Sequence, residues 1–204
     1  MTEISSLHHL NGNPLAVIDV ETTGRVCGFH EVIQVAIVPL TIELEIADVK
    51  PFYCNIKPDF PERAEAKAGK VHGLSIDDFV ANAPTQERVL DLLLDWFSKL
   101  PLGHSRRLTP VAHNWAYERS FLVPWLGPDL LNSIFHPHPR DTMIFAGMLN
   151  DRSVMMGKNK PFTSLGLGAL CHQFGIPYEN AHDALADCIA TAKLYATLMR
   201  AVIR

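Results

Sequence analysis

The sequence has no apolar run of membrane-spanning length, no paired cysteine motif, no internal repeat and no excess of positive charge. A bilayer-crossing helix needs roughly 20 mostly apolar residues in a row, so no membrane role is expected. The N-terminal stretch MTEISSLHHL carries an acid and no apolar core of signal-peptide length, which points to a soluble, cytoplasmic protein. The cysteines Cys27, Cys54, Cys171 and Cys188 lie far apart and form no C-x-x-C pair. That argues against a zinc knuckle or redox motif and fits a reduced, intracellular chain. With 18 Lys and Arg against 22 Asp and Glu, the formal net charge is −4. Bulk charge therefore does not hold this protein on duplex nucleic acid, and any such contact has to be local or metal-assisted. Nor are apolar residues scarce: 48% are hydrophobic and 20% charged, which excludes a largely disordered chain.

What is present fits one α/β domain spanning residues 1–204, long enough to bury a sizeable core. Leu15 to Thr22, Glu31 to Leu40 and the segment PFYCNIKP read as three strands in series, an antiparallel meander. From Thr85, a plausible N-cap, the period changes: Val89, Leu92, Leu93, Trp96, Phe97 and Leu100 recur at helical spacing. TPVAHN reads as a short buried strand feeding a helix, YERSFLVPWL, that kinks or ends near Pro124. Helices are expected at about Thr142 to Leu149, Ser164 to Phe174 and Asp183 to Val202, and NDRSVMMGKNKPF as a mobile surface loop. The order predicts a mixed central sheet flanked by helices. HPHP at His136 to Pro139 is a plain extended loop: prolines follow both histidines and no cysteine is near.

The stretch LAVIDVETTG, Leu15 to Gly24, places two carboxylates two residues apart in an apolar run. Strand side chains alternate between faces, so Asp19 and Glu21 share one face. Like charges so close persist with a shared proton or a bound cation, a divalent metal being the simplest answer. Otherwise the pair sits at the strand's exposed end, leading into the turn at Thr22, Thr23 and Gly24. Further acids lie in HNWAYERSFL (Glu118), RDTMIF (Asp141) and HDALADCIAT (Asp183, Asp187). Asp187 sits among Ala184, Leu185, Ala186, Ile189 and Ala190, a small-residue helix that should pack on the sheet, where an acid needs a partner. Five helical residues turn about 140°, so His182 faces Asp187 only if it precedes the first turn. Asp183 is then an N-terminal helix residue favoured by the dipole.

VIDVETTG, HNWAYERSFL and HDALADCIAT, in that order, resemble the three motifs of the DEDDh 3′→5′ exonucleases of the ribonuclease-H-like superfamily, which includes polymerase proofreading subunits and ribonuclease T. The spacers VHGLSIDDF, RDTMIFAGML and TSLGLGALCHQFGIP resemble that family's connecting segments, and the likeness spans nearly the whole chain. The resemblance implies a ribonuclease-H-like fold and two Mg²⁺ or Mn²⁺ ions, about 4 Å apart in such sites. It implies that Asp19, Glu21 and Asp187 hold one ion, that Asp19 bridges to the second, held by Glu118, and that His182 deprotonates the attacking water. Thr22, Thr23, Gly24 and Arg25 after the first acids, and His113, Asn114 and Trp115 opening the second motif, are the candidate substrate contacts.

Two residues depart from the family pattern. Glu118 stands where the second motif usually has aspartate, and its extra methylene moves the carboxylate outward by about 1 Å, which weakens the second ion or favours Mn²⁺. Arg25 stands where the family has an apolar residue; it stacks on a base, meets a phosphate, or is a solvated turn residue. Tyr117, Phe121 and Trp125 share helical spacing and read as core, leaving Trp115 as the better stacking candidate. The expected substrate is single-stranded DNA or RNA, cut to nucleoside monophosphates. A phosphodiesterase for short or cyclic oligonucleotides and a binding relative with vestigial catalysis are the alternatives. The sequence ends at Arg204 directly after the last helix, so no tether for a polymerase or clamp is expected; a homodimer remains compatible.

Overall fold

The computed structural model describes residues 12–102 and 107–202, so the N-terminal stretch read above for a leader lies outside the described residues. Strand β1 (Leu15–Thr22) is the centre of a mixed five-stranded sheet. It runs antiparallel to β2 (Val32–Pro39), which is antiparallel to β3 (Phe52–Asn55). On its other side β1 is parallel to β4 (Thr109–Ala112), and β4 is parallel to β5 (Arg140–Asp141), giving the order β3-β2-β1-β4-β5. Both the meander and the mixed sheet match the sequence expectation. No helix among the described residues is long and apolar enough to cross a membrane, and all four cysteines are free thiols.

Alternation along β1 builds two cores. Ala16, Ile18 and Val20 pack with Val35 and Ile37 of β2 against Val89 and Leu93 of α3 (Gln86–Ser98) and Phe121 and Leu122 of α4 (Trp115–Leu126). Leu15 and Val17 point the other way, with Ala36 and Val38, onto Ala184, Cys188 and Ala192 of α8 (Ala184–Val202). These small residues recur every four positions, so the helix lies close against the sheet. Asp19 and Glu21 continue the Leu15–Val17 face, and the helix packed there carries Asp187 in its first turn. Thr85 caps α3 by accepting the Arg88 N–H at 3.3 Å, an N-cap being worth about 1 kcal/mol.

Several boundaries differ from the sequence reading. Three short helices went unread: α1 (Ala66–His72), α2 (Ile76–Asn82) and α5 (Pro128–Ile134). Each has seven residues, too few for a periodic signal. Helix α4 starts at Trp115, two residues before the expected YERSFLVPWL, and ends with it at Leu126, two residues past Pro124. Helix α6 (Thr142–Met155) runs six residues beyond the expected end, through half of the segment read as a mobile loop. The remainder is tied back by Asn150, whose side chain exchanges two 2.9 Å hydrogen bonds with the Phe162 backbone. Helix α7 (Leu167–Phe174) begins after Gly166, whose N–H donates to Ser164 Oγ at 3.3 Å in a local turn.

Candidate active site

The end of β1, the first turns of α4 and α8 and the segment around α1 enclose a cavity of about 300 Å³. Asp19, Glu21, Glu118, His182 and Asp187 all line it. Asp19 and Glu21 are half-buried, Glu118 and Asp187 buried, His182 exposed. The expectation that His182 precedes the helix agrees with the structure: it lies before α8 with φ 67°, a left-handed conformation that turns its backbone N–H onto Asp187 Oδ1 at 3.1 Å. The Tyr178 hydroxyl donates to the same oxygen at 2.8 Å. Asp183 caps α8, its Oδ1 accepting the Ala186 N–H at 3.0 Å.

Removal from water and mutual repulsion push these acids toward their protonated forms. Burial, then the charges of Asp187 and Asp183, raises Glu21 to about 8. Asp19 is held well above the carboxylate range by burial, then by Glu118, Asp187 and Glu21. Glu118 is raised by burial and by Glu21, with the Val20 backbone pulling the other way. Asp187 is raised by burial, against the hydrogen bonds from Tyr178 and the His182 amide. Among the described residues Glu118 Oε2 is fully buried with no hydrogen-bond partner, which in a folded protein calls for an explanation. A divalent cation answers both observations, because it supplies the missing partner and the missing charge. The donors are hard carboxylate oxygens with one imidazole, a set suited to Mg²⁺ or Mn²⁺. Among the described residues, one group can place ligand atoms within 4.8 Å of one another: Glu21, His182 and Asp187. Asp19 lies outside that group and has Glu118 as its strongest charged neighbour.

The remaining sequence candidates divide. Thr22 Oγ donates to the Gly24 carbonyl at 2.7 Å and meets the Tyr117 hydroxyl at 2.8 Å. Thr23 is fully buried and accepts the Glu31 N–H on its Oγ at 2.9 Å; its side chain pins the turn. Gly24 lines the cavity where a Cβ would stand 2.4 Å from His30 Nε2. Arg25 is exposed on the cavity wall. His113, Asn114 and Trp115 do not reach the cavity. His113 Nδ1 is 2.8 Å from Thr142 Oγ, and burial holds its ring below the ordinary histidine value. Asn114 turns the chain with φ 88° and gives its N–H to Asp141 Oδ1 at 3.3 Å. Trp115 is buried against Phe135, 6.0 Å between ring centres, and is no exposed stacking platform. The left-handed turn at Asn114 sends Trp115 into the core and brings Tyr117 and Glu118, one helical turn on, to the cavity.

Tyr117, read from its spacing as core, does pack against the core and the Phe121 ring, 4.9 Å between centres, and it also lines the cavity; its place beside Glu118 was the available signal for that second role. Glu65 and Lys67 also line the cavity, from a segment to which the sequence reading assigned no role. Asp141 accepts the amides of Asn114, Trp115, Met143 and Ile144 at 2.8 to 3.3 Å, a structural knot joining α4 to α6. His136 and His138 pack edge to face, 4.9 Å between ring centres, in a loop away from the cavity.

A family model for exonucleases of the ribonuclease T type matches residues 16–195. Ribonuclease T of Baumannia cicadellinicola is 26% identical over 190 residues, 90% of this chain and 82% of that protein. The PolC-type DNA polymerase III of Streptococcus pneumoniae is 30% identical over 178 residues, 87% of this chain but 10% of the polymerase. Among solved structures, E. coli exonuclease I in complex with a dT13 oligonucleotide superposes with a TM-score of 0.70 at 19% identity, covering 90% of this chain and 40% of that one. Exonuclease I of Methylocaldum szegediense gives 0.70 at 20% identity, over 92% and 40%. The chain thus spans about 40% of the exonuclease I chains whose fold it shares.

Proposed function

This chain belongs to the exonuclease family, in the DEDDh 3′→5′ branch of the ribonuclease-H-like superfamily, and we propose that it is a metal-dependent enzyme that trims single-stranded DNA or RNA, releasing nucleoside 5′-monophosphates. The observation that carries this reading is the convergence of Asp19, Glu21, Glu118, Asp187 and His182 on one cavity, with Glu118 Oε2 left without a protein partner. Asp19, Glu21 and Asp187 would hold one ion and Asp19 with Glu118 a second. When bound, such ions neutralise charge on the phosphate and on the attacking and leaving oxygens.

The chain's own residues do the rest. His182 takes a proton from the attacking water as the new P–O bond forms at the terminal phosphate and the bond to the preceding 3′-oxygen breaks; solvent protonates that oxygen. The exposed imidazole stands at the cavity and makes no hydrogen bond of its own among the described residues, so Nδ1 and Nε2 are free for water. Tyr178 and the His182 amide occupy Asp187 Oδ1 and so orient that carboxylate. Arg25 and Lys67, both exposed in the cavity lining, suit the phosphate backbone. A cavity of about 300 Å³ is at the small end for ligand sites, suited to the last nucleotide of a strand. Glu118 supports an active over a vestigial site, since a carboxylate without function would not stay buried and unpartnered.

Product analysis on end-labelled single-stranded DNA and RNA, from dinucleotide to long strand, with Mg²⁺ and Mn²⁺ in parallel, tests the proposal. Stepwise loss of monophosphates from the 3′ end supports it. Activity confined to the shortest substrates would favour the oligonucleotide phosphodiesterase, and no hydrolysis with either metal the vestigial relative.

A further inference from the structure

Among the described residues the His182 ring has no hydrogen-bond partner to steady it, and its backbone sits at φ 67°, a conformation an L-residue holds only when its surroundings impose it. The residues that follow His182 are held by a polar network that reaches across the sheet. Gln34, on β2 and 1% exposed, uses both polar atoms of its side chain. Its Oε1 accepts the N–H of Ala184, the first residue of α8, at 2.8 Å. Its Nε2 donates to the Tyr53 hydroxyl at 3.0 Å and to Asn55 Oδ1 at 2.9 Å, both on β3. The Tyr53 hydroxyl donates in turn to Asp183 Oδ2 at 2.5 Å, while Asp183 Oδ1 caps the helix. The residue directly after His182 is thereby fastened to the outer strand of the sheet.

We propose that Gln34, Tyr53 and Asp183 form a clasp that positions the His182 loop, so that the base stands correctly over the carboxylates. They are positioning residues: none is required to touch a reacting atom, and the inference rests on the assignment of His182 as the base. Burial and the Asp183 carboxylate raise the Tyr53 phenol above its ordinary value, so it remains a hydrogen-bond donor throughout the working pH range. Gln34 is suited to its place because an amide donates and accepts at once; a carboxylate there would give Tyr53 and Asn55 no donor.

Tyr53→Phe removes one hydroxyl from a ring that is 43% exposed and leaves the packing intact. The expected result is a fall in kcat of about tenfold with KM and melting temperature unchanged, since a misplaced base slows chemistry without weakening binding. Asp183→Ala should act on the same clasp, so the double variant should be no slower than the slower single one. Amide hydrogen exchange on the metal-free protein gives a readout that needs no turnover: residues 182–187 should exchange faster in Tyr53→Phe, with the rest of the sheet unchanged. Unaltered exchange there overturns the clasp, whether or not the wild-type protein hydrolyses any substrate. Faster exchange with unaltered kcat in an active enzyme overturns its positioning role.

Discussion

The backbone N–H of His182 and the carboxylate of Asp187 are joined by a 3.1 Å hydrogen bond across the start of α8. Base and metal ligand are therefore not independent: the turn that presents one orients the other. Asp187 Oδ1 is committed to His182 and Tyr178, which leaves Oδ2 for a cation. Asp187→Asn keeps an oxygen for both donors and loses only the charge. It should melt no lower than wild type in the metal-free state, because a repulsive charge has gone, while turnover drops by orders of magnitude. Thermal denaturation beside steady-state rates checks both halves.

His182→Ala separates base from ligand. As a base, His182 contributes about a hundredfold or more to rate, and Mn²⁺ affinity should stay near wild type. Because its ring can also approach Glu21 and Asp187 within 4.8 Å, a large loss of Mn²⁺ affinity in calorimetric titration would reassign it as a ligand.

Glu21, at about 8, makes the metal-free protein sensitive to pH in a defined direction. A carboxyl whose pKa is higher folded than unfolded contributes stability that is complete below the ordinary carboxyl range and lost as pH climbs through the folded value. Melting temperature without metal should therefore fall between about pH 5 and about pH 8.5, with Asp19 and Glu118, raised in the same direction, adding to the slope. Glu21→Gln should flatten it. Metal binding near neutral pH should release protons, visible as a dependence of the calorimetric heat on buffer.

How much of this was legible in the sequence depends on what kind of signal each residue carries. Asp19 and Glu21 were placed on one face because strand alternation has a period of two, and Asp187 because an acid in a small-residue helix has nowhere else to go. The place of His182 before the helix followed from helix geometry, and its role as base from the family resemblance. Trp115 was misplaced and the cavity role of Tyr117 missed, since a single left-handed residue, Asn114, rotates everything after it and no periodicity reports a backbone φ of 88°. Arg63 over the Phe29 ring, 5.1 Å from its centre, and the Gln34 to Tyr53 to Asp183 chain were invisible for a different reason. They join segments remote in sequence through side chains with no periodic pattern.

Gly24 has no freedom to accept a side chain. A Cβ would stand 2.4 Å from His30 Nε2, and that ring cannot retreat: its Nδ1 accepts the Val26 N–H at 2.9 Å and its Nε2 is 3.5 Å from Glu65. Gly24→Ala should lower stability by about 1–3 kcal/mol, the usual cost of overpacking, measurable by urea denaturation.

Glu118 separates a ligand from a surface residue. Glu118→Asp restores the family's shorter arm and should keep or improve rates in Mg²⁺, whereas Glu118→Gln should cripple them. Equal, wild-type-like rates for both across a Mg²⁺ titration would make the second motif a remnant.

The central claim is that these carboxylates are a metal centre, and calorimetric titration of Mn²⁺ into wild type and Asp19→Asn tests it most directly. The expected result is two ions per wild-type chain, and loss of most of that affinity when the central acid is neutralised. Wild-type affinity retained in Asp19→Asn, or no Mn²⁺ bound by the wild-type protein, would contradict it.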